Sequence, residues 1–523
     1  MKYNKKGHRH FIGTMVVANN EDNKKLYDII DGQQRTTTIF MLLHVLANEQ
    51  NEKDKRETRK YLYQKGKLKL EVAPQNQSFF KTLLEAAEKG NISQKKMQTP
   101  KGKQNLFEVL KAILDKVSKL SEEGVNERLE TLLEMVLMRL EEPDPGRAIR
   151  TFQSVNDRGV PLLLLDKLKS LLIYYSNTFC DGKRGLDQFI NDHFGEIFKI
   201  FAKIKKSDHI SSVGDFDEGD IFRYHAWSQR FDGIEFLGHY EARTDKTYEK
   251  LKDELKEIKK SKLKSFIQSY VSDLKNFYQA FLDLLSEIDT NPTTFKVMLI
   301  NKIDSSFFNS LIRLKINNEL DDETLKLFAK TDIVLFKATR DRPGTDNLIN
   351  AYLKKGKEGL KSEMIAQCRN DIGLAFWQSV NNASNSSCFH YIFFEKNCQE
   401  MGLADLKKLI PRKQFSQEKE HIIPINLLKQ ESNNKIRDLG FEDKKDLEDY
   451  IDTYGNLISL EGSLNSQASD KDLYGKDEIY KSSEIPFNRR FNVKGFNKKV
   501  LIKRNDEMRE WLINTFFKDF ATH

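Results

Sequence analysis

The sequence predicts a mainly helical α+β protein, and three observations lead to this. Gly and Pro number only 26 and 10 in 523 residues, whereas the helix-favouring Leu, Lys and Glu are common. Apolar residues in the middle of the chain recur with helical spacing. Shorter stretches near each end carry β-rich apolar runs bounded by turn residues. At 39% hydrophobic and 11% aromatic residues, the chain can bury a sizeable core and is not intrinsically disordered.

The first elements are predicted as two strands followed by a helix. Residues 11–17 form an apolar, β-rich run, and residues 26–30 form a second strand candidate after a polar turn. The second strand leads into a short Gly-containing loop and then a helix from Thr36 to about Asn48. A side chain of the loop or of the first turn is expected to cap that helix.

The remaining elements are assigned from periodicity and turn residues. Residues 79–140 read as helices with two polar breaks, and the charged turn at 141–146 ends them. Residues 162–179 read as a buried helix. Near the end of the chain, residues 454–460 are predicted as a turn followed by a strand, residues 465–476 as a polar loop, and residues 497–517 as a terminal helix.

These assignments divide the chain into three parts. At roughly 150 residues per domain, the length alone favours three or four domains. The predicted boundaries give an N-terminal α/β part at 1–234, a helical middle at 235–375 and a smaller α+β part at 376–523.

Charge and cysteine content exclude several classes of protein. The net charge of +8 is compatible with nucleic-acid binding without establishing it. The few cysteines include no C-x-x-C pair, which argues against a zinc staple or a disulfide framework and favours a reducing cytoplasm. The most apolar run, residues 160–175, contains Asp166, Lys167 and Lys169, so no membrane span is expected.

The first group of residues that could carry chemistry lies in the loop before the first predicted helix. It includes Thr36, the first residue of that helix. Gly32 would let backbone N–H groups approach an anion, and the helix N-terminus favours negative charge. Arg35 offers a fork of donors that suits phosphate oxygens. The alternative is a structural turn whose arginine is paired to a carboxylate. The candidate nucleotide-binding residues here are Asp31, Gly32, Gln33, Gln34, Arg35 and Thr36.

A second segment could complete that phosphate site. Asn156 and Arg158 flank Asp157 ahead of Gly159, which again places an arginine beside a Gly turn before a helix. The structural alternative is a helix start that Asn156 or Asp157 caps.

The second group lies in the last part of the chain and follows the chemistry of a one-metal nuclease. His421 can act as general base on a water that attacks phosphorus, and Asn456 could orient the imidazole. Glu420 and Asn465 supply oxygen ligands for a hard divalent cation, and Lys471 could bind a non-bridging phosphate oxygen. The structural alternative is a satisfied core histidine and two asparagines in turns.

Together the two groups resemble the GmrSD-type proteins. The N-terminal half of the likeness rests on the FIGT run from Phe11, the IIDGQQRTT string at 29–37, and Phe152, Asn156–Gly159 and the Leu165-Asp-x-x-Lys pattern. The C-terminal half rests on the EHIIP string at 420–424, Gly455-Asn-Leu, Asn465 and Lys471. Both halves occur in the expected order, while residues 235–375 match only as a helical spacer.

The resemblance implies a modification-dependent, type IV restriction endonuclease, or the related SspE-like phosphorothioate-sensing effector, in antiphage defence. In that family the N-terminal domain has a ParB/sulfiredoxin-like fold, binds and hydrolyses a nucleoside triphosphate (GTP, UTP or ATP), and serves as a sensor. The C-terminal domain cuts or nicks DNA with an HNH-like site of His421, Asn456 and Asn465, using Mg²⁺ or Mn²⁺. The implied partner is modified phage DNA, and self-association is a further expectation.

One feature departs from the family pattern. Members usually begin with an extended segment bearing a Pro-x-Tyr-Gln-Arg-x-Tyr pattern before the strand that carries Phe11, and no such pattern occurs here. The alternatives are a truncated chain, a misassigned start codon, or an upstream segment that is encoded separately. If that segment contributes to the nucleotide or modification pocket, we expect the chain to be poor in NTPase activity or to need a partner that supplies the segment. Two hypotheses stay open at this point: a metal-dependent endonuclease, and a nucleotide-responsive DNA-binding module whose C-terminal domain does not cleave.

Overall fold

The computed structural model of the chain forms two compact units. The first contains Met1–Leu163 and Ile173–Asp181, and the second contains Leu164–Leu172 and Gly182–His523. The predicted boundaries after residues 234 and 375 stay predictions. The residues that the structure describes are 10–20, 23, 25–72, 74–89, 104–143, 148, 163–180, 184–214, 216–231, 234–235, 244–339, 345–383, 386–429 and 433–520.

A three-stranded sheet lies in the first unit. Strand β1 (Phe11–Asn19) pairs antiparallel with β2 (Tyr27–Asp31) and parallel with β5 (Val136–Glu142), in the order β2-β1-β5. The first two strands confirm the sequence prediction. The prediction of helix up to residue 140 is wrong, because a short apolar run has no readable period and its pairing with β1 decides its structure.

Helices in the first unit pack around α1, whose buried face includes Met41 and Leu46. The buried Phe80, Phe107 and Leu129 of other helices belong to the same core, as the helical spacing predicted. A two-residue turn with positive φ at Lys65 and Gly66 joins the short strands β3 and β4. The elements are α1 (Gln33–Asn48), α2 (Glu52–Leu62), β3 (Tyr63–Gln64), β4 (Lys67–Leu68), α3 (Pro74–Glu88), α4 (Gln104–Val117) and α5 (Glu122–Leu133).

Helices dominate the second unit, as predicted for the middle of the chain. The predicted buried helix is α6 (Leu164–Phe179), whose residues are divided between the two units. Among the described helices, none combines the length and apolar character needed to cross a bilayer. The following elements are α7 (Arg184–Lys205), α8 (Ile210–Val213), α9 (Glu218–Trp227), β6 (Arg230–Phe231), β7 (Ile234–Glu235), α10 (Thr244–Glu257), α11 (Lys260–Glu287), α12 (Pro292–Phe295), α13 (Phe308–Ile316), α14 (Asp322–Asp332), α15 (Thr345–Cys368), α16 (Ile372–Val380), α17 (Ser386–Asn397) and α18 (Leu403–Lys408).

The last part of the second unit contains a two-stranded antiparallel sheet followed by helices. The predicted turn and strand at 454–460 and the terminal helix are confirmed. The polar loop predicted at 465–476 is wrong, because two short helices cover most of it. The elements are β8 (Gln417–His421), α19 (Asn433–Asp438), α20 (Lys444–Ile451), β9 (Leu457–Glu461), α21 (Gly462–Ala468), α22 (Leu473–Tyr480), α23 (Pro486–Arg490) and α24 (Lys498–Trp511).

Packing and capping explain these two short helices. Their Ser, Asn and Asp residues favour turns when considered alone. In the structure α21 packs against both β8 and β9, and the side chain of Asp472 caps α22 by accepting the Gly475 N–H at 2.8 Å. Strands β8 and β9 and helix α21 thus surround the candidate residues, and we call this arrangement the β8–β9 frame.

Candidate active site and N-terminal loop

The antiparallel pairing of β8 with β9 brings the two parts of the C-terminal pattern together. His421 is the last residue of β8 and lies opposite Leu457, the first residue of β9. One residue further on, the Ile422 N–H donates to the Asn456 carbonyl at 2.8 Å. Asn465 lies on α21, which begins directly after β9. The frame therefore gathers residues that are more than thirty positions apart in the sequence.

His421 is paired with a carboxylate that the sequence analysis did not identify. Its Nε2 lies 2.9 Å from Asp452 Oδ1, and its side chain is 19% exposed. Burial lowers the pKa of His421, and Asp452 opposes this shift while Lys419 and Lys476 add to it. A neutral imidazole is a competent proton acceptor. Among the described residues no hydrogen bond engages His421 Nδ1, so that nitrogen can serve as the base.

Asn456 holds the backbone that follows His421. Its fully buried amide accepts the Ile423 N–H at 2.8 Å and donates to the Ile423 carbonyl at 3.1 Å and the Ile451 carbonyl at 2.9 Å. The sequence predicts that this amide holds the imidazole. The structure corrects that expectation, because all three hydrogen bonds go to main-chain atoms and fix the position of the loop instead.

Glu420 is buried and already ion-paired. Its Oε1 accepts from Lys476 Nζ at 2.6 Å and from the Tyr480 hydroxyl at 3.1 Å. Lys476 Nζ also donates to the His421 carbonyl at 2.5 Å. Burial raises the pKa of Glu420, and the Lys476 ammonium opposes that shift. Sequence reasoning missed both partners because it placed residues 465–476 in a loop, whereas the helical spacing of Lys476 and Tyr480 puts them on one face.

Asn465 presents an oxygen that no neighbour uses. Its Nδ2 donates to Glu418 Oε2 at 2.6 Å, and its Oδ1 is buried without a hydrogen-bond partner among the described residues. Glu418 and Glu420 are two positions apart on β8, so their side chains leave the strand on the same face. That face meets the helices carrying Asn465 and Lys476. Lys471, in the chain segment between α21 and α22, is exposed.

The predicted residues thus form two groups at the end of β8. Glu420 and Asn465 belong to the face covered by α21 and α22, whereas His421 turns to Asp452. Within the described ranges, no side-chain hydrogen bond connects His421, Asn456 and Asn465 directly. In the same ranges, no group of three or more His, Cys, Asp and Glu side chains is arranged to hold a metal ion, so any cation here would depend on amide and main-chain oxygens as well.

The N-terminal loop begins α1 without a side-chain cap. Gly32 has a left-handed backbone, with φ of 92°, and the helix begins at Gln33, three residues earlier than predicted. The predicted side-chain cap is therefore wrong. Gln33 Nε2 donates to the Ile29 carbonyl at 2.7 Å, and the Thr36 hydroxyl donates to the Gly32 carbonyl at 2.9 Å. The first N–H groups of the helix are left without intrahelical acceptors, as at any helix start.

Arg35 braces the sheet. Its Nη1 donates to the carbonyls of Ile12 at 3.1 Å and Thr14 at 2.8 Å, and its Nη2 lies 3.5 Å from Asp31 Oδ2. This geometry corresponds to the structural alternative, an arginine paired to a carboxylate. Of the other predicted residues of the loop, Gln34 is exposed. The predicted Asn156 and Arg158 lie outside the described residues.

Two family models match the chain. The model described as "GmrSD restriction endonuclease, N-terminal domain" matches residues 3–173. The model described as "GmrSD restriction endonucleases, C-terminal domain" matches residues 366–511, which include every candidate residue of the β8–β9 frame. The matches follow in the order that the sequence motifs predicted. No curated protein sequence matches the chain.

Proposed function

The chain belongs to the GmrSD restriction endonuclease family, and from this premise we propose that it is a metal-dependent, HNH-type endonuclease that cuts modified phage DNA. The family assignment indicates a nuclease for modified DNA in defence. The observation that carries the finer proposal is the pairing of His421 with Asp452 at the end of β8.

His421 acts as the general base in the proposed reaction. The protonated Nε2 of the imidazole donates a hydrogen bond to Asp452 Oδ1, which leaves Nδ1 unprotonated and able to take a proton from the attacking water. Asn456 contributes by fixing the main chain at Ile423, and thereby the direction in which the end of β8 presents His421. The scissile phosphate is expected to lie across the end of β8, where groups from both strand faces come within reach.

The residues present fit a divalent cation. Asn465 Oδ1 is a buried oxygen without a hydrogen-bond partner among the described residues, and Glu420 provides a carboxylate on the face of β8 that α21 and α22 cover. Oxygen donors of this kind suit Mg²⁺ or Mn²⁺. When bound, the cation would neutralise charge that develops on the phosphate oxygens. The exposed Lys471 would add a contact to a non-bridging oxygen.

We further propose that the loop before α1, together with the first turn of that helix, senses a nucleoside triphosphate. The free N–H groups of the first turn, the left-handed Gly32 and the exposed Gln34 support an anion site. Arg35 would act by holding this turn against β1, with Asn156 and Arg158 as the expected second half of the site. The test is the change in melting temperature with GTP, UTP or ATP in the wild type and in Gln34→Ala; an equal shift in both would exclude Gln34.

The nuclease proposal is tested by cleavage of matched DNA substrates. Unmodified, glucosylated and phosphorothioated DNA of one sequence would be incubated with the full chain and Mg²⁺ or Mn²⁺, with and without nucleoside triphosphate. The proposal expects cleavage of a modified substrate only when the divalent cation is present. Cleavage that persists in excess EDTA would contradict the metal-dependent mechanism.

One observation favours the second candidate function, a DNA-binding module that does not cleave. Glu420 Oε1 accepts hydrogen bonds from both Lys476 and Tyr480, and the Lys476 ammonium repels a cation that approaches this carboxylate. The same experiment separates the candidates, because a non-cleaving module would bind modified DNA and leave it intact under every metal condition.

A further inference from the structure

A buried ammonium group lies beside the proposed metal ligand. Lys476 is 0% exposed and Glu420 is 5% exposed at the side chain. The Lys476 Nζ bridges Glu420 Oε1 at 2.6 Å and the His421 carbonyl at 2.5 Å. It therefore lies between a carboxylate oxygen and a carbonyl oxygen, which is the type of surrounding that a hard cation would take.

An ammonium and a divalent cation cannot share this carboxylate oxygen without a large electrostatic penalty. Two positive charges a few ångströms apart repel strongly when both are shielded from water. Glu420 has little exposed surface from which to bind a cation while its lysine stays in place. Cation binding thus requires the ammonium to leave Glu420.

We propose that Lys476 is an internal counter-ion that closes the cation site of the metal-free protein, and that a divalent cation binds by displacing its ammonium from Glu420. The inference rests on the proposed metal-dependent function. It assigns Lys476 as the residue that sets metal affinity, because every binding event must break its hydrogen bonds to Glu420 and His421.

The first test replaces the ammonium by an apolar group of similar length. Lys476→Met removes the competing charge, so Mn²⁺ measured by calorimetry should bind about tenfold or more tightly than in the wild type. Tyr480→Phe removes a neutral hydrogen bond from the same Glu420 oxygen and should change the affinity less. Lys481→Met, an exposed lysine just after the same helix, should leave it unchanged.

The second test uses the unaltered protein and does not depend on the folding of a variant. Lysine acetylation, read by mass spectrometry, should leave Lys476 unmodified in the metal-free chain and modify it faster once Mn²⁺ is bound. Lys481 serves as the internal reference because it is exposed in both states.

The outcomes distinguish this inference from the proposed function. Tighter binding to Lys476→Met together with faster labelling of Lys476 would support it. Mn²⁺ that binds the wild type while Lys476 stays protected would overturn the inference and leave the nuclease proposal standing. Absence of Mn²⁺ binding by the wild type and by both Lys476→Met and Tyr480→Phe would overturn the inference and the metal-dependent mechanism together.

Discussion

Asn456 clamps the main chain of Ile423, since its Oδ1 accepts the Ile423 N–H at 2.8 Å and its Nδ2 donates to the Ile423 carbonyl at 3.1 Å. A third hydrogen bond reaches Ile451, the last residue of α20. One amide thus joins the end of α20, the loop after β8 and the start of β9. We expect the position of His421 to depend on this clamp, although no hydrogen bond in the described part of the chain joins the Asn456 side chain to the imidazole.

Asn456→Asp should not substitute for the wild-type amide. An aspartate can accept the Ile423 N–H, but it has no N–H for the two carbonyls and places negative charge against them. We expect both Asn456→Asp and Asn456→Ala to lower the free energy of unfolding by about 2–4 kcal/mol and to abolish cleavage. Thermal melting and DNA cleavage would be measured, with the exposed Gln467→Ala as control. Full cleavage by Asn456→Asp would contradict the role of the donor N–H.

Asp452 is expected to act through His421. Asp452→Asn removes the carboxylate that holds Nε2, so kcat should fall by about 10- to 100-fold while KM for DNA stays unchanged. Asp449→Asn, an exposed carboxylate on the preceding helix, is the matched control. A parallel rise of KM in Asp452→Asn, with kcat retained, would instead place Asp452 in DNA binding.

Gly13 and Arg35 are expected to be energetically coupled. Gly13 has φ of 106°, and a Cβ at this position would lie 2.4 Å from Arg35 Nη1. Gly13→Ala should therefore strain the backbone and push Arg35 away from the carbonyls of Ile12 and Thr14.

We expect Gly13→Ala to lower the unfolding free energy of the first unit by about 2–3 kcal/mol. Gly66→Ala also places alanine at positive φ but meets open space, so it should cost about 1 kcal/mol. The double variant with Arg35→Ala should cost less than the sum of its single changes. Strict additivity in denaturant titrations would refute the coupling.

His390 should make the second unit sensitive to acid. Burial, with smaller effects from Lys419 and Lys302, lowers the pKa of His390 to about 3. Below the unfolded value of about 6.5 the unfolded chain takes up a proton that the folded chain refuses, so stability is lost as the pH falls from there toward the folded pKa.

His390→Asn keeps a polar atom near Ser459, the hydrogen-bond partner of His390 Nδ1, and removes the titration. Between pH 7 and pH 5 the wild type should lose about 2 kcal/mol more unfolding free energy than this variant. Urea titrations at both pH values provide the measurement. Equal losses in the two proteins would show that His390 is not the group responsible.

The sequence predicted the fold where local pattern and tertiary structure agree. Strands β1 and β2 and the terminal helix followed from apolar runs with clear turns at their ends. Strand β5 was not predicted, because its parallel partner β1 lies more than a hundred residues away in the sequence. The helices α21 and α22 were not predicted, because their polar residues favour turns when considered alone. Contacts that form only in the folded chain make these residues helical.

The candidate site likewise contains residues that the sequence predicts and residues that it does not. Motif residues such as His421, Asn456 and Asn465 could be chosen by type and spacing, since each chemistry needs a restricted set of side chains. Their partners could not, because Asp452 and Lys476 meet the site only through the folded arrangement of α20 and α22. The role of Asn456 likewise follows only from the folded structure, since the sequence does not say whether an amide hydrogen-bonds to a ring or to the main chain.

The most direct test of the central claim is cleavage of modified phage DNA, in the presence of Mg²⁺ or Mn²⁺, by the wild type and by His421→Ala. His193→Ala, which removes a histidine of α7 outside the candidate site, serves as the control. A lost general base should reduce the cleavage rate by about 10²- to 10⁴-fold in His421→Ala, with DNA binding and melting temperature retained. Equal cleavage by wild type and His421→Ala would contradict the account.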